Sequence, residues 1–137
     1  MWFVLAAIVA LLRRSPWPFA LIALGVLAAD ALAGLVKMIV GEKRPNDTGA
    51  LITIPHSHSF PSGHTATAFA GATMLSFFVP RGAPAFYVLA AAIAYSRLYV
   101  GVHYPLDVVG GAIIGAVTAL LLLAIARRRS EQWLQRG

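Results

Sequence analysis

Three short polar clusters interrupt an otherwise apolar chain of 137 residues. The first is Lys37, followed after six residues by Arg44-Pro45. Two helical turns separate the cations, so both can lean toward one spot, while Pro45 ends the helix that carries Lys37. Alone, the pair reads equally as a snorkelling lysine and a flanking anchor. The second cluster, Pro61-Ser62-Gly63-His64, opens an apolar run. A proline, a hydroxyl cap and a glycine leave backbone N–H groups free at the positive end of a helix dipole, which suits an anion. His64 in the first turn would face that anion; a Ser-capped helix with an interfacial histidine is the plainer alternative. The third cluster is Ser96-Arg97, then His103 and Asp107. A spacing of four brings the carboxylate to one imidazole nitrogen, setting the tautomer and leaving the other nitrogen as a nucleophile. Such a pair is also found in capped helix starts, with Pro105 suited to the first helical position. Arg97, a bidentate phosphate binder on the same membrane face, weighs against that reading.

Together the clusters supply three cations, a helix N-terminus and two histidines, one with a carboxylate partner. Three fixed positive groups match the charge spread over the equatorial oxygens of a transferring phosphoryl group. No structural requirement explains such a convergence.

The elements that must hold these residues are apolar. Hydrophobic residues make up 59% of the chain and charged residues 12%, against about 25% charged in a soluble domain. The segments are Met1–Leu12, Pro18–Val40, Gly63–Val79, Ala85 to about Val100, and Leu106–Ala126, with a short turn at 80–84. The pattern predicts an all-α, polytopic transmembrane bundle: four clear spanning helices plus a short first helix. Twelve residues rise only about 18 Å, less than a hydrocarbon core of about 30 Å. The first helix is therefore expected to be partial, or preceded by further residues. Arg13-Arg14 follow that segment, an order opposite to a signal peptide's. One domain is expected over 1–137, with a motif-bearing core of about 18–126 and a basic cytoplasmic tail at 127–137. Gly111, Gly115 and Ala119 recur every fourth position, which predicts close helix packing within the chain.

Threading the segments puts Arg13, Arg14, Arg81, Arg127, Arg128, Arg129 and Arg136 on one side, and Lys37, Lys43, Arg44, Arg97 and the 41–60 loop on the other. The positive-inside rule assigns the arginine-rich side to the cytoplasm and the three clusters to the extracytoplasmic face of a bacterial-type plasma membrane. The net charge of +6 forms no basic stripe with interleaved aromatics, so no nucleic-acid partner is expected. Without cysteine, the chain has no disulfide, thiolate metal site or cysteine nucleophile.

The three clusters resemble the three-part signature of the type-2 phosphatidic acid phosphatase superfamily, and all eleven fixed positions match in order over residues 37–107. The resemblance implies a metal-independent lipid phosphatase without cofactor, whose partners are a lipid phosphate substrate and membrane lipids. By resemblance, His103 is the nucleophile forming a phosphohistidine, Asp107 its orienting partner and His64 the general acid. Lys37, Arg44, Arg97, Ser62 and the Gly63 amide would hold the phosphate. A polyprenyl diphosphate such as undecaprenyl diphosphate is the first expected substrate. Phosphatidylglycerophosphate, phosphatidate and polyprenyl-phosphosugar phosphates are alternatives. Vanadium haloperoxidases share the signature but are soluble and larger, and a non-catalytic scaffold would be expected to have lost His103 or Asp107. Family members usually have six spanning helices, more than this chain offers.

Other polar residues carry less. His56 and His58 lie two apart in a loop with no Cys and no nearby helix-borne carboxylate pair, a poor zinc set. Glu42 and Asp47 read as solvated loop charges. Asp30, two turns before Lys37, reads as a structural carboxyl buried inside the bundle, with a part in proton handling as the alternative. The charge asymmetry has a direct test. A single cysteine at Thr48 should react with an impermeant thiol reagent in intact cells; labelling only after lysis would reverse the topology.

Overall fold

The computed structural model describes residues 1–45, 51–53 and 56–134, with side chains to 128. Asp47, Thr48 and Arg136 lie outside the described residues, and so does the Arg129 side chain. Five α-helices follow one another: α1 (Trp2–Leu12), α2 (Trp17–Val40), α3 (Gly63–Phe78), α4 (Ala83–Tyr99) and α5 (Pro105–Leu134). A single 3-10 turn, Pro80–Gly82, joins α3 to α4. No strand occurs among the described residues.

Prolines sit where their missing N–H costs nothing: Pro18, Pro84 and Pro105 all fall in first turns. Helix α2 ends at Gly41, whose φ of 65° lets its N–H return to the Lys37 carbonyl. Helix α5 runs on through the basic tail to Leu134 rather than stopping near Ala126. No glycine or proline interrupts residues 116–136, and arginine, glutamate, glutamine and leucine favour a helix.

Helix α3 is the centre of the bundle and packs on α5, α4, α2 and α1. Its inner positions are small and buried: Ala66, Ala68, Ala70, Gly71 and Ala72. The expected close packing of α5 is present, and it is directed at α3. A Cβ on Gly111 would stand 2.5 Å from the Ser62 carbonyl oxygen, and one on Gly115 would strike the Ala66 carbonyl. Met74 and Leu75 on the lower half of α3 meet Ile22 and Val26 of α2 in the apolar core.

The bundle has two chemically distinct ends. At one, the Arg13 guanidinium donates to the Phe78 carbonyl at 2.7 Å, satisfying the C-terminus of α3. Arg127 lies 4.7 Å over the Phe77 ring at that same end. The opposite end gathers the C-termini of α2 and α4, the N-termini of α3 and α5, and all three polar clusters.

The outward surface is apolar. Leu24, Leu27, Leu32, Leu35, Met38 and Ile39 on α2 are exposed, as are Ile113, Leu120, Leu121 and Ile125 on α5. Such a surface suits hydrocarbon rather than water. Two stretches, Trp17–Val40 and Pro105–Arg128, are long and apolar enough to cross a membrane. Helices α3 and α4, at 16 and 17 residues, rise about 24 and 26 Å, short of a hydrocarbon core of about 30 Å.

The α3–α5 contact sets the spacing of the two helices that carry the histidines. Gly115→Ala should destabilise the detergent-solubilised protein by about 1–3 kcal/mol through overpacking against backbone. Val117→Ile, on the exposed face of α5, should leave the melting temperature unchanged; equal effects of the two would mean that this contact is slack.

Candidate active site

Asp107 occupies the first turn of α5 and is fully buried. Its Oδ2 accepts three hydrogen bonds: from the Ser59 hydroxyl at 2.5 Å, the Tyr104 amide at 2.8 Å and His103 Nδ1 at 3.0 Å. Its backbone carbonyl accepts from the Ser62 amide at 2.9 Å, joining α5 to the start of α3. Asp107 Oδ1 has no hydrogen-bond partner among the described residues. A carboxylate only accepts, so His103 carries its proton on Nδ1 and turns the Nε2 lone pair away from Asp107.

That lone pair meets Arg44, whose Nη1 lies 3.3 Å from His103 Nε2. The guanidinium is itself framed by backbone and by one serine. Arg44 Nη1 donates to the Val102 carbonyl, Nε to the Ser57 carbonyl and Nη2 to the Ser57 hydroxyl. Lys37 donates from Nζ to the His58 carbonyl at 2.9 Å and the Ser59 carbonyl at 3.4 Å. The Ser59 amide in turn donates to the Glu42 carbonyl, pinning the 56–60 segment across the end of α2. The same short segment therefore orders both cations and supplies a bond to Asp107.

Ser62 stands at the N-cap of α3, but its hydroxyl makes no bond to the first-turn amides and accepts from Thr65 Oγ1 instead. The expected side-chain cap is thus absent, and the positive helix end is left to whatever enters the cavity. Gly63 and His64 line that cavity directly.

The cavity measures about 270 Å³ and is lined by Asp30, Lys37, Arg44, Ser57, Gly63, His64, Thr67 and His103. Five of the eight residues expected from the sequence thus share one space: Lys37, Arg44, Gly63, His64 and His103. Asp107 lies behind His103, and Ser62 is wholly buried beneath the helix start. Arg97, in the last turn of α4, is half-buried, donates from Nε to Ser96 Oγ and is not part of the lining. It is near enough to act electrostatically on His64. A larger cavity of about 540 Å³ at the arginine end holds none of these residues.

Asp30 corrects an expectation. It is exposed to the cavity rather than buried in the bundle. Seven residues is close to two full turns, so Asp30 shares the cavity face of α2 with Lys37. Ser57, Ser59 and Thr67 also escaped the sequence reading. Ser59 stands two residues before Pro61, but nothing in its spacing reveals a bond to a carboxylate 48 positions away. His56 and His58 are exposed, and among the described residues no three His, Asp or Glu side chains gather as a ligand set.

Burial pushes the His103 pKa down to about 4; the Asp107 hydrogen bond opposes this, and the nearby Arg44 and Lys37 charges add to it. Above that pH the imidazole is neutral, with its Nε2 electron pair facing Arg44 Nη1.

Residues 18–131 match the sequence model of the PAP2 superfamily. The chain belongs to that superfamily. Over 135 residues it is 32% identical to the decaprenylphosphoryl-5-phosphoribose phosphatase of Mycobacterium tuberculosis, covering 95% of this chain and 74% of that protein. It is 30% identical over 129 residues to an undecaprenyl-diphosphatase of Sulfolobus acidocaldarius, covering 90% of this chain and 63% of the relative. The fold matches the transmembrane PAP2-type phosphatidylglycerolphosphate phosphatase of Bacillus subtilis with a TM-score of 0.72 at 27% identity, covering 91% of this chain and 66% of that one. The chain thus spans 74%, 63% and 66% of the lengths of these three proteins. Family and fold together make it an integral-membrane lipid phosphatase.

The low pKa of His103 can be read directly. In an imidazole nitrogen NMR titration of the ligand-free protein, the resonance missing from His103→Asn should change charge near pH 4. A midpoint at the ordinary histidine value of about 6.5 would show that water reaches the ring freely.

Proposed function

We propose that this chain hydrolyses a polyprenyl diphosphate through a phosphohistidine on His103. The reading is carried by one observation: the Asp107-bonded imidazole of His103 turns its free nitrogen into a cavity that also presents Lys37, Arg44, Gly63 and His64. The Nε2 electron pair attacks phosphorus while the bond to the leaving oxygen breaks. Asp107 holds the ring in the reactive tautomer and stabilises the imidazolium that forms. Lys37, Arg44, the Gly63 amide and the start of α3 balance the growing charge on the equatorial oxygens, with Arg97 closing in from α4 and Ser62 supporting from below. His64 protonates the leaving oxygen, then accepts a proton from the water that cleaves the phosphorus–nitrogen bond. The fixed cations supply the charge that a metal would, so the reaction is metal-independent.

Two of the relatives are named for polyprenyl-linked substrates, which favours a polyprenyl tail. A diphosphate fits the archaeal relative's name, and a polyprenyl-phosphosugar phosphate fits the mycobacterial one. The phosphatidylglycerolphosphate phosphatase keeps a glycerolipid phosphate as the alternative. In this reading residues 1–137 form one phosphatase domain. Helices α2 to α5 all traverse the bilayer, α1 enters it part-way, residues 127–137 face the cytoplasm and the site opens to the extracytoplasmic side. The support is the alternation of helix directions between the arginine end and the site end.

The two histidines separate by leaving group. His103→Ala should abolish turnover of every substrate, with no phosphoenzyme trapped. His64→Ala should lose about 10²–10⁴-fold with phosphatidate, whose alkoxide needs a proton. It should lose much less with p-nitrophenyl phosphate, whose phenolate departs as a stable anion. Activity should persist in excess EDTA. A constant His64→Ala ratio across the series, or turnover by His103→Ala, would mean the roles are misassigned.

A further inference from the structure

Asp30 is the feature that phosphate binding does not explain. It lies on α2 two turns below Lys37 and lines the anion cavity with His64, Gly63 and Thr67. Its Oδ1 stands 3.7 Å from where a Cβ on Gly63 would be, beside the backbone that carries His64. It makes no hydrogen bond or salt bridge with the described residues. Beyond it a second cavity of about 250 Å³ opens between α1 and α2, lined by Met1, Trp2, Phe3, Val26, Leu27, Asp30 and Thr67. Asp30 therefore sits where a charged space meets an apolar one. A carboxylate there repels a phosphate, so its presence calls for a function other than holding the substrate.

The charges around His64 indicate what that function is. Lys37 from α2, Arg44 from the segment after α2 and Arg97 from α4 all act on His64 with positive charge. His103 faces the same cavity and is neutral at working pH, while Asp107 is turned toward His103. Among the described residues, Asp30 is the one negative group that acts on His64. A general acid must hold its proton before the leaving oxygen departs, and three cations oppose that.

We propose that Asp30 is a positioning residue for the reaction, its carboxylate holding the proton on the His64 imidazole against Lys37, Arg44 and Arg97 until the leaving oxygen takes it. The inference rests on the general-acid reading of His64. The proton passes from His64 to the oxygen of the breaking phosphorus–oxygen bond. His64 regains a proton from the attacking water, and Asp30 takes no part in the transfer. The carboxylate weakens phosphate binding somewhat and strengthens the acid, so its removal should lower kcat without raising KM.

The test is the pH dependence of kcat/KM for the full chain in detergent micelles, with phosphatidate and with p-nitrophenyl phosphate. An opposite charge facing an imidazole favours its protonated form. Asp30→Asn should therefore move the alkaline limb for phosphatidate to lower pH by about one unit. At a pH above that limb the rate should fall about tenfold, carried by kcat. The loss with p-nitrophenyl phosphate should be far smaller, because the phenolate needs no proton. Asp30→Glu should return the limb toward the wild-type position. An unmoved limb for Asp30→Asn, or a uniform rise in kcat/KM at every pH, would overturn the proposal; the second result would reduce Asp30 to a phosphate-repelling charge. If Asp30→Asn does not fold, Asp30→Ser with and without formate makes the same comparison. Formate restoring the limb supports the proposal, and no response overturns it. His64→Ala separates the two layers. If its loss is independent of leaving group, the acid reading itself fails; if that loss is leaving-group dependent while Asp30→Asn moves nothing, only the role of Asp30 fails.

Discussion

Asp107 is where the fold and the chemistry become one problem. A fully buried carboxylate is costly unless donors answer it, and Oδ2 alone receives a hydroxyl, an amide and an imidazole N–H. The donors come from two pieces of chain: Ser59 from the segment ahead of α3, and the adjacent His103 and Tyr104 from the turn into α5. The Asp107 carbonyl adds a bond to the Ser62 amide. Satisfying one charge therefore draws the ends of α3 and α5 together and aims His103 at the cavity in the same act. The closeness that this requires comes from Gly111, which leaves no atom between α5 and the Ser62 carbonyl.

Electrostatic balance in the cavity follows from the same enclosure. Burial alone drives His103 toward its neutral form, and the cations that suit a phosphate push the same way. What suits a nucleophile is wrong for an acid. In the proposed reaction the two histidines take opposite roles, and their surroundings differ: His103 has Asp107 on Nδ1, while His64 shares its cavity with Asp30.

The rest of the molecule is built for lipid. Between the two ends α3 presents mostly alanine and glycine to its neighbours, with Thr73 bonded to Tyr87 of α4. In hydrocarbon no water drives helices together, so association depends on close backbone approach and dispersion. The large apolar side chains are correspondingly turned outward on α2 and α5.

Much of this was legible in the residues. Most segment boundaries followed from prolines and unbroken apolar runs, since those signals act within a few residues, although α2 stops at Gly41 rather than at the expected Pro45. The three clusters declared an anion site because charge in apolar surroundings is costly enough to need a reason, and the His103–Asp107 pair was visible because one helical turn sets its geometry. Other features depended on long-range placement. Ser59 reaches Asp107, and Ser57 frames Arg44, only because the 56–60 segment folds back over the end of α2. Arg97 lies in the last turn of α4, at the end of the bundle that holds the other clusters, yet outside the lining of the cavity, with its Nε on Ser96. Asp30 lies on the helix face shared with Lys37, a relation the spacing contains, but whether that face looks into protein or into a cavity depends on where α3 begins against it. Periodicity specifies which residues share a face; packing alone specifies what that face meets.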